Sequence, residues 1–288
     1  MRSISIAVAA IVACCSLLSA QQVPRALHTD PPRDSAHPPR MEVLHIPSGG
    51  VKINGVEYVA AGAGVHPTFV FFHGLPGNEK NLDLAQAVRR AGWNAVTVNY
   101  RGSWGSPGQF SFGGNLEDAA AVLTFLRDPL NAPNLGIDTS RMVIAGHSMG
   151  GWVTALTAAH DHGLAGAILI SAADMGRAAQ AKREELVKSM AGDMESLAGV
   201  TAESMADELL ANGAKWQFPE AAAGLARVPM LVLSSDDGLA PGTDALVKAV
   251  RAAGNRRVTA QHQATDHSWS GKRIALESAV VSWLTRLR

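Results

Sequence analysis

From residue 68 onward, short and almost wholly apolar runs alternate with longer segments of helical periodicity, and this alternation constrains the fold more than any other feature of the chain. Five runs stand out, at residues 68–72, 95–99, 142–145, 165–170 and 230–233, followed by a more polar one at 257–261. A strand that is apolar on both sides has to be covered on both faces, so the pattern predicts a mostly parallel central sheet with helices on both faces. Helices are expected at about residues 82–91, 116–126, 150–159, 243–253 and 274–287. No internal repeat is visible.

The flanking and interrupting segments read differently. Pro24, Pro31, Pro32, Pro38 and Pro39 lie among His, Arg and Asp, which suits neither a helix nor an interior strand, so residues 21–40 read as a linker. The folded domain is expected over residues 41–288. It should open with two antiparallel strands, signalled by the alternation around Asn54-Gly55 in Lys52-Ile53-Asn54-Gly55-Val56-Glu57. Residues 174–224 have helical composition and no strand signal, which predicts an inserted helical cap. The cap carries Met175, Met190, Met194 and Met205. Their flexible thioethers suit an adaptable apolar wall, although packing of the cap on the domain is the reading we favour for any one of them.

Residues 1–20 place Arg2 before an apolar run and end on Ser19-Ala20, the order of a secretory signal peptide. Export is expected. A lipoprotein anchored through Cys14 is the alternative, because Ile11-Val12-Ala13-Cys14 resembles a lipobox, and membrane attachment is expected only in that case. Both cysteines, Cys14 and Cys15, fall in this stretch, which leaves none for a disulfide framework or a metal site in the domain. With 25 basic and 25 acidic residues, the chain carries no basic field that would favour nucleic acid. No cofactor or metal is expected: His160-Asp161-His162 has no further ligands at matching spacing and reads as a solvated helix end.

Chemistry centres on Gly146-His147-Ser148-Met149-Gly150, between an apolar strand and a helix. This is the form of a nucleophile elbow, in which glycines let strand and helix approach closely around a strained serine. With 28 glycines in the chain, such a pentapeptide arises by chance about 0.2 times, so its context has to carry the argument. A serine hydroxyl needs an imidazole to take its proton, and the imidazole needs a carboxylate to fix its tautomer. In parallel sheets such groups gather beyond the carboxyl ends of the strands. Asp236 and Asp237 follow the run at 230–233, and His267 follows the last strand, so the order is Ser, Asp, His.

With these motifs go His73-Gly74-Leu75-Pro76-Gly77, Tyr100-Arg101-Gly102-Ser103-Trp104-Gly105, Asp237-Gly238-Leu239-Ala240-Pro241 and Asp266-His267-Ser268. Together they resemble the α/β-hydrolase superfamily, in its serine esterase-like branch with a helical cap, over residues 41–288. The resemblance implies Ser148 as nucleophile, His267 as general base and then acid, and Asp237 as the orienting carboxylate. Asp237 is preferred to Asp236 because family members place the acid a few residues before a proline, here Pro241. It also implies backbone N–H groups of Leu75 and Met149 as oxyanion donors, with His73, Gly74, Gly146 and Gly150 in support. His147 and His262 are expected to have no special role, and Arg101 and Trp104 to border the pocket or simply to shape turns.

Serine at the elbow points to acyl transfer, with a small-molecule carboxylic ester as the expected substrate. A secreted serine peptidase or amidase and an acyltransferase or thioesterase use the same parts. A C–C bond hydrolase is a further possibility, and a catalytically inactive binding protein on the same scaffold is the reading from a different class.

Overall fold

The computed structural model describes residues 23–287, so the expected signal peptide lies outside the described residues. The eight strands are β1 (Arg40–Ser48), β2 (Val51–Val59), β3 (His66–Phe72), β4 (Asn94–Val98), β5 (Ile137–His147), β6 (Gly166–Ile170), β7 (Met230–Ser235) and β8 (Val258–Gln263). They form one sheet in the order β1-β2-β4-β3-β5-β6-β7-β8. From β4 to β8 all neighbours are parallel, and β2 is antiparallel to both β1 and β4. All six runs identified in the sequence are strands of this sheet.

The opening hairpin corrects one expectation. Its turn is Gly49-Gly50, with φ of 55° and 81°, whereas Asn54-Gly55 lies inside β2 and Gly55 pairs with both Leu44 and Val98. Consecutive left-handed residues match the twist of a two-residue hairpin, and two glycines adopt them without steric cost. Asn54 is held in the strand instead, its Nδ2 donating to the Gly105 carbonyl at 2.9 Å and its backbone N–H to Ser106 Oγ at 2.9 Å.

Between the strands lie α1 (Leu82–Arg90), α2 (Phe112–Arg127), α3 (Ala132–Leu135), α4 (Met149–His160), α5 (Met175–Ala178), α6 (Arg183–Ala191), α7 (Ala202–Trp216), α8 (Phe218–Ala221), α9 (Ala240–Ala252) and α10 (Arg273–Arg286). Alternate strand residues feed two cores. Phe69 and Phe71 of β3 pack with Leu84 and Val88 of α1 and Val280 and Leu284 of α10, while Val70 and Phe72 pack with residues of α2 and α4. α2 starts at Phe112, a turn earlier than expected, because Ser111 caps it by accepting the Gly114 N–H at 2.9 Å.

Helices α5 to α8 lie between β6 and β7. Met175, Met190 and Met205 are buried in the core shared with α2 and α4, which is the packing role favoured from the sequence. Glu208 of α7 accepts the N–H groups of Phe112 and Gly113 at 3.0 and 2.9 Å, placing a carboxylate against the positive end of α2. The proline-rich segment also makes contact with the domain: Ala26 and Leu27 pack on the core beside α1 and α10.

One buried carboxyl sets a pH dependence of stability. Glu57 of β2 is fully buried, with one oxygen accepting from Asn94 Nδ2 at 2.9 Å and the other without a partner. Burial pushes its pKa up to about 8, against the opposing charge of Arg40. Between pH 4.5 and about 8 the unfolded chain ionises Glu57 while the folded one keeps the proton, so stability falls as pH rises through that window. Glu57→Gln should therefore match the parent below pH 4.5 and exceed it by about 3–5 kcal/mol at pH 8. Urea unfolding at the two pH values checks this, and equal stability at pH 8 would show Glu57 to be ionised in the fold.

Candidate active site

Ser148 is the single residue between β5 and α4, with φ 57° and ψ −123°. Its backbone is pinned on both sides: its N–H donates to the Ile170 carbonyl at 3.0 Å, and its carbonyl accepts from Gly151 and Ala173, each at 3.0 Å. The flanking glycines are sterically required. A Cβ on Gly146 would lie 2.0 Å from the Gly150 carbonyl oxygen, and one on Gly150 would lie 2.0 Å from that of Phe72. Gly150→Ala should thus force β3 and α4 apart and cost about 3 kcal/mol or more, by the mechanism of overpacking against rigid backbone. Thermal unfolding reads this out; an unchanged melting temperature would show that the elbow relaxes freely.

The loop after β3 passes directly over the serine. A Cβ on Gly74 would lie 2.9 Å from Ser148 Cβ and 3.5 Å from its Oγ. His73, which is buried, stabilises that loop: its Nδ1–H donates to the Gly74 carbonyl at 2.7 Å. Burial lowers its pKa to about 4, so the ring is neutral at pH 7. Trp104 Nε1–H and Ser196 Oγ–H both donate to the Pro76 carbonyl, at 2.7 and 3.1 Å. The Trp104 backbone N–H also donates to the Ser196 carbonyl at 3.1 Å, so the two residues tie this loop to the segment before α7. Arg101 does not border the site, because its guanidinium and backbone N–H are engaged by Asp118 and its Nη2 by Glu117. Met149 opens α4 and is buried, with its sulfur 3.4 Å from Asn115 Nδ2, and Leu75 packs against the same core.

The two adjacent aspartates beyond β7 have different surroundings. The Asp237 side chain is 4 % exposed and accepts His267 Nδ1–H at 2.7 Å. Its other oxygen accepts the Leu239 N–H at 2.9 Å. Burial pushes its pKa up, but the bonds from His267 and Leu239 outweigh that and hold the carboxyl below its usual range. Asp236 is 62 % exposed and pairs instead with His262 Nε2 at 2.8 Å.

His147, for which the sequence suggests no special role, lies against His267. Its Nε2–H donates to the His267 backbone carbonyl at 2.8 Å, and the two rings lie 4.5 Å apart. Burial, then the neighbouring His267, lowers its pKa to about 4. A neutral ring here avoids a second positive charge beside His267. The signal available in the sequence was its place next to Ser148, but its partner lies 120 positions away. Among the described residues the ring of His267 is bonded to Asp237 and not to Ser148 Oγ. Such bonds are often long in unliganded sites and tighten as substrate binds.

Among the described residues no group of three or more His, Cys, Asp or Glu could hold a metal ion. Asp161 of the His160-Asp161-His162 run pairs with Arg127. A cavity of about 580 Å³ is lined by Leu123, Leu156, His160 and Trp216. Its α4 lining, Leu156 to His160, lies about 12–18 Å along the helix from Ser148.

A family model described as the alpha/beta hydrolase fold matches residues 70–270. No curated protein matches the chain. Among solved structures, an esterase of Pyrobaculum calidifontis is 20 % identical with a TM-score of 0.66, covering 86 % of this chain and 87 % of its own. A thermostable carboxylesterase cloned from a metagenomic library is 22 % identical with a TM-score of 0.65, covering 88 % and 91 %. An acylaminoacyl peptidase of Pyrococcus horikoshii is 17 % identical with a TM-score of 0.62, covering 87 % of this chain and 42 % of its own. At these identities the likeness is one of fold.

Proposed function

The chain belongs to the α/β hydrolase fold family, and from that premise we propose that it is a serine hydrolase that cleaves carboxylic esters through an acyl-enzyme intermediate. The observation that carries the proposal is the 2.7 Å bond between buried Asp237 and His267, beyond the same carboxyl ends of the parallel strands as a serine held at positive φ. His267 Nε2 takes the proton as Ser148 Oγ attacks the acyl carbon. Asp237 holds the Nδ1–H tautomer and stabilises the imidazolium that forms. Backbone N–H groups of Leu75 and Met149 receive the developing oxyanion. Met149 is suited to this because the first N–H groups of a helix lack intrahelical partners and carry its positive dipole end. Gly74 suits it because the missing Cβ is what allows the Leu75 segment to lie against Ser148. Collapse of the intermediate returns the proton to the leaving alcohol, and water repeats the sequence to release the acid.

A fluorophosphonate should label Ser148 in the folded protein, and nitrophenyl esters of rising chain length should be hydrolysed faster than aminoacyl anilides. A strict preference for anilides would replace the esterase reading with a peptidase, and absence of labelling would favour an inactive binding protein. We also propose export. Intact mass of the mature chain should place its start near Gln21, whereas a diacylated Cys14 would make it a lipoprotein.

A further inference from the structure

The loop that carries His267 is held by donors from three elements. The Asp236 N–H, just after β7, donates to the Thr265 carbonyl at 3.0 Å, and Arg273 Nη1 of α10 donates to the Ser268 carbonyl at 3.0 Å. Between them, His147 Nε2–H donates to the carbonyl of His267 itself at 2.8 Å. His147 is the last residue of β5, is 4 % exposed and directly precedes Ser148. Of the three donors, then, the one that meets His267 comes from the elbow.

A general base has to present Nε2 to the serine, and the bond to Asp237 does not by itself fix that atom. A single hydrogen bond, here Nδ1–H on Asp237 Oδ2 at 2.7 Å, leaves the ring free to turn about its axis and carries Nε2 through an arc. The His267 side chain is 39 % exposed, so burial alone does not restrain it. Two contacts with His147 do. One fixes the peptide from which the His267 side chain springs, and the other lays the two rings 4.5 Å apart at an interplanar angle of 44°. The opposite end of this contact is fixed as well. Ser148 is pinned through its N–H on the Ile170 carbonyl and through its own carbonyl, so the backbone that carries Oγ also carries His147. Nucleophile and base are thereby tied to one frame although they lie far apart in sequence.

We infer that His147 is a positioning residue that sets the place of His267 Nε2 relative to Ser148 Oγ. The inference rests on the reading of Ser148 and His267 as nucleophile and base of a hydrolase. His147 acts through His267 and touches no reacting atom. A misplacement of about 1 Å can cost about 100-fold in rate, so loss of this hold should be felt in kcat and leave KM nearly alone.

The chemistry of the bond selects the variants. It is made by Nε2, the far nitrogen of the ring. A glutamine carries its amide donors at about that reach, whereas an asparagine carries the same donors closer to the backbone, at about the reach of Nδ1. The His147 ring is neutral at pH 7, its pKa lowered to about 4 by burial and then by His267, so both amides leave the charge beside His267 unchanged.

The test compares His147→Gln and His147→Asn in the whole protein, with kcat and KM for a short nitrophenyl ester and thermal unfolding to show that each variant is folded. The proton resonance of His267 Nδ1–H is followed in parallel and identified by its loss in His267→Gln. His147→Asn should lower kcat about 10- to 100-fold with KM within about twofold, and the resonance should broaden as the loop opens to exchange with water. His147→Gln should recover most of that loss and keep the resonance sharp. Equal kcat in the two folded variants, whether high or low, would overturn the inference, as would a loss in His147→Asn with the resonance unbroadened. A role in packing alone predicts losses that follow the melting temperature in both variants, with no advantage for glutamine. The resonance needs no turnover. If the parent neither hydrolyses esters nor reacts with a fluorophosphonate, the hydrolase reading falls, and the difference between the two resonances still decides whether His147 holds His267.

Discussion

Ser148→Ala should lower kcat for ester hydrolysis by at least about 1000-fold, which corresponds to about 4 kcal/mol of lost transition-state stabilisation. The change removes one oxygen and leaves the elbow's backbone in place. Its N–H still reaches the Ile170 carbonyl, and Gly146 and Gly150 are untouched. Thermal unfolding should accordingly stay close to the parent, and substrate binding should survive. Labelling by a fluorophosphonate should vanish. What turnover remains would come from the oxyanion donors and from binding alone. Hydrolysis within tenfold of the parent would remove Ser148 as nucleophile.

Asp237→Asn should cost about 1000- to 10,000-fold in kcat, while Asp236→Asn should leave it within about twofold. The reason lies in which atoms carry protons. An asparagine at 237 can turn its amide N–H toward His267 Nδ1, which then accepts, and the ring carries its proton on Nε2, where it cannot take one from Ser148. Asp236 has only an exposed partner, His262, so its neutralisation removes a screened surface pair. Steady-state kinetics of the two variants, with circular dichroism to confirm folding, make the comparison. A large loss at 236 with little at 237 would move the acid by one residue.

Much of the fold was legible because its signals are local. Strands buried on both faces need apolar side chains at nearly every position, and all six runs became strands of the sheet. Gly146 of the elbow is likewise a local requirement, since a Cβ there would meet the Gly150 carbonyl, whereas Gly150 is required by the Phe72 carbonyl of β3. The hairpin shows where local reading failed. Asn54-Gly55 has better turn chemistry on paper than many real turns, yet β4 pairs with this stretch and the Gly105 and Ser106 loop holds Asn54 in the strand. Those partners lie about fifty positions away in sequence, and no local propensity reports them.

The site divides in the same way. Ser148, the pair of aspartates after β7 and His267 stand out as candidates because this chemistry needs particular residue types at strand ends, and strand ends are visible as the places where apolar runs stop. By itself, then, the sequence determined the family, the order of the sheet's parallel strands along the chain and the residue types of the site. Only the tertiary structure decided which carboxylate meets His267 and that His147 clasps the His267 backbone. Hydrogen bonds depend on direction and on distances of a few tenths of an ångström. Those are settled when β6, β7 and the His267 loop are packed side by side, after the backbone turns have fixed which way each side chain points.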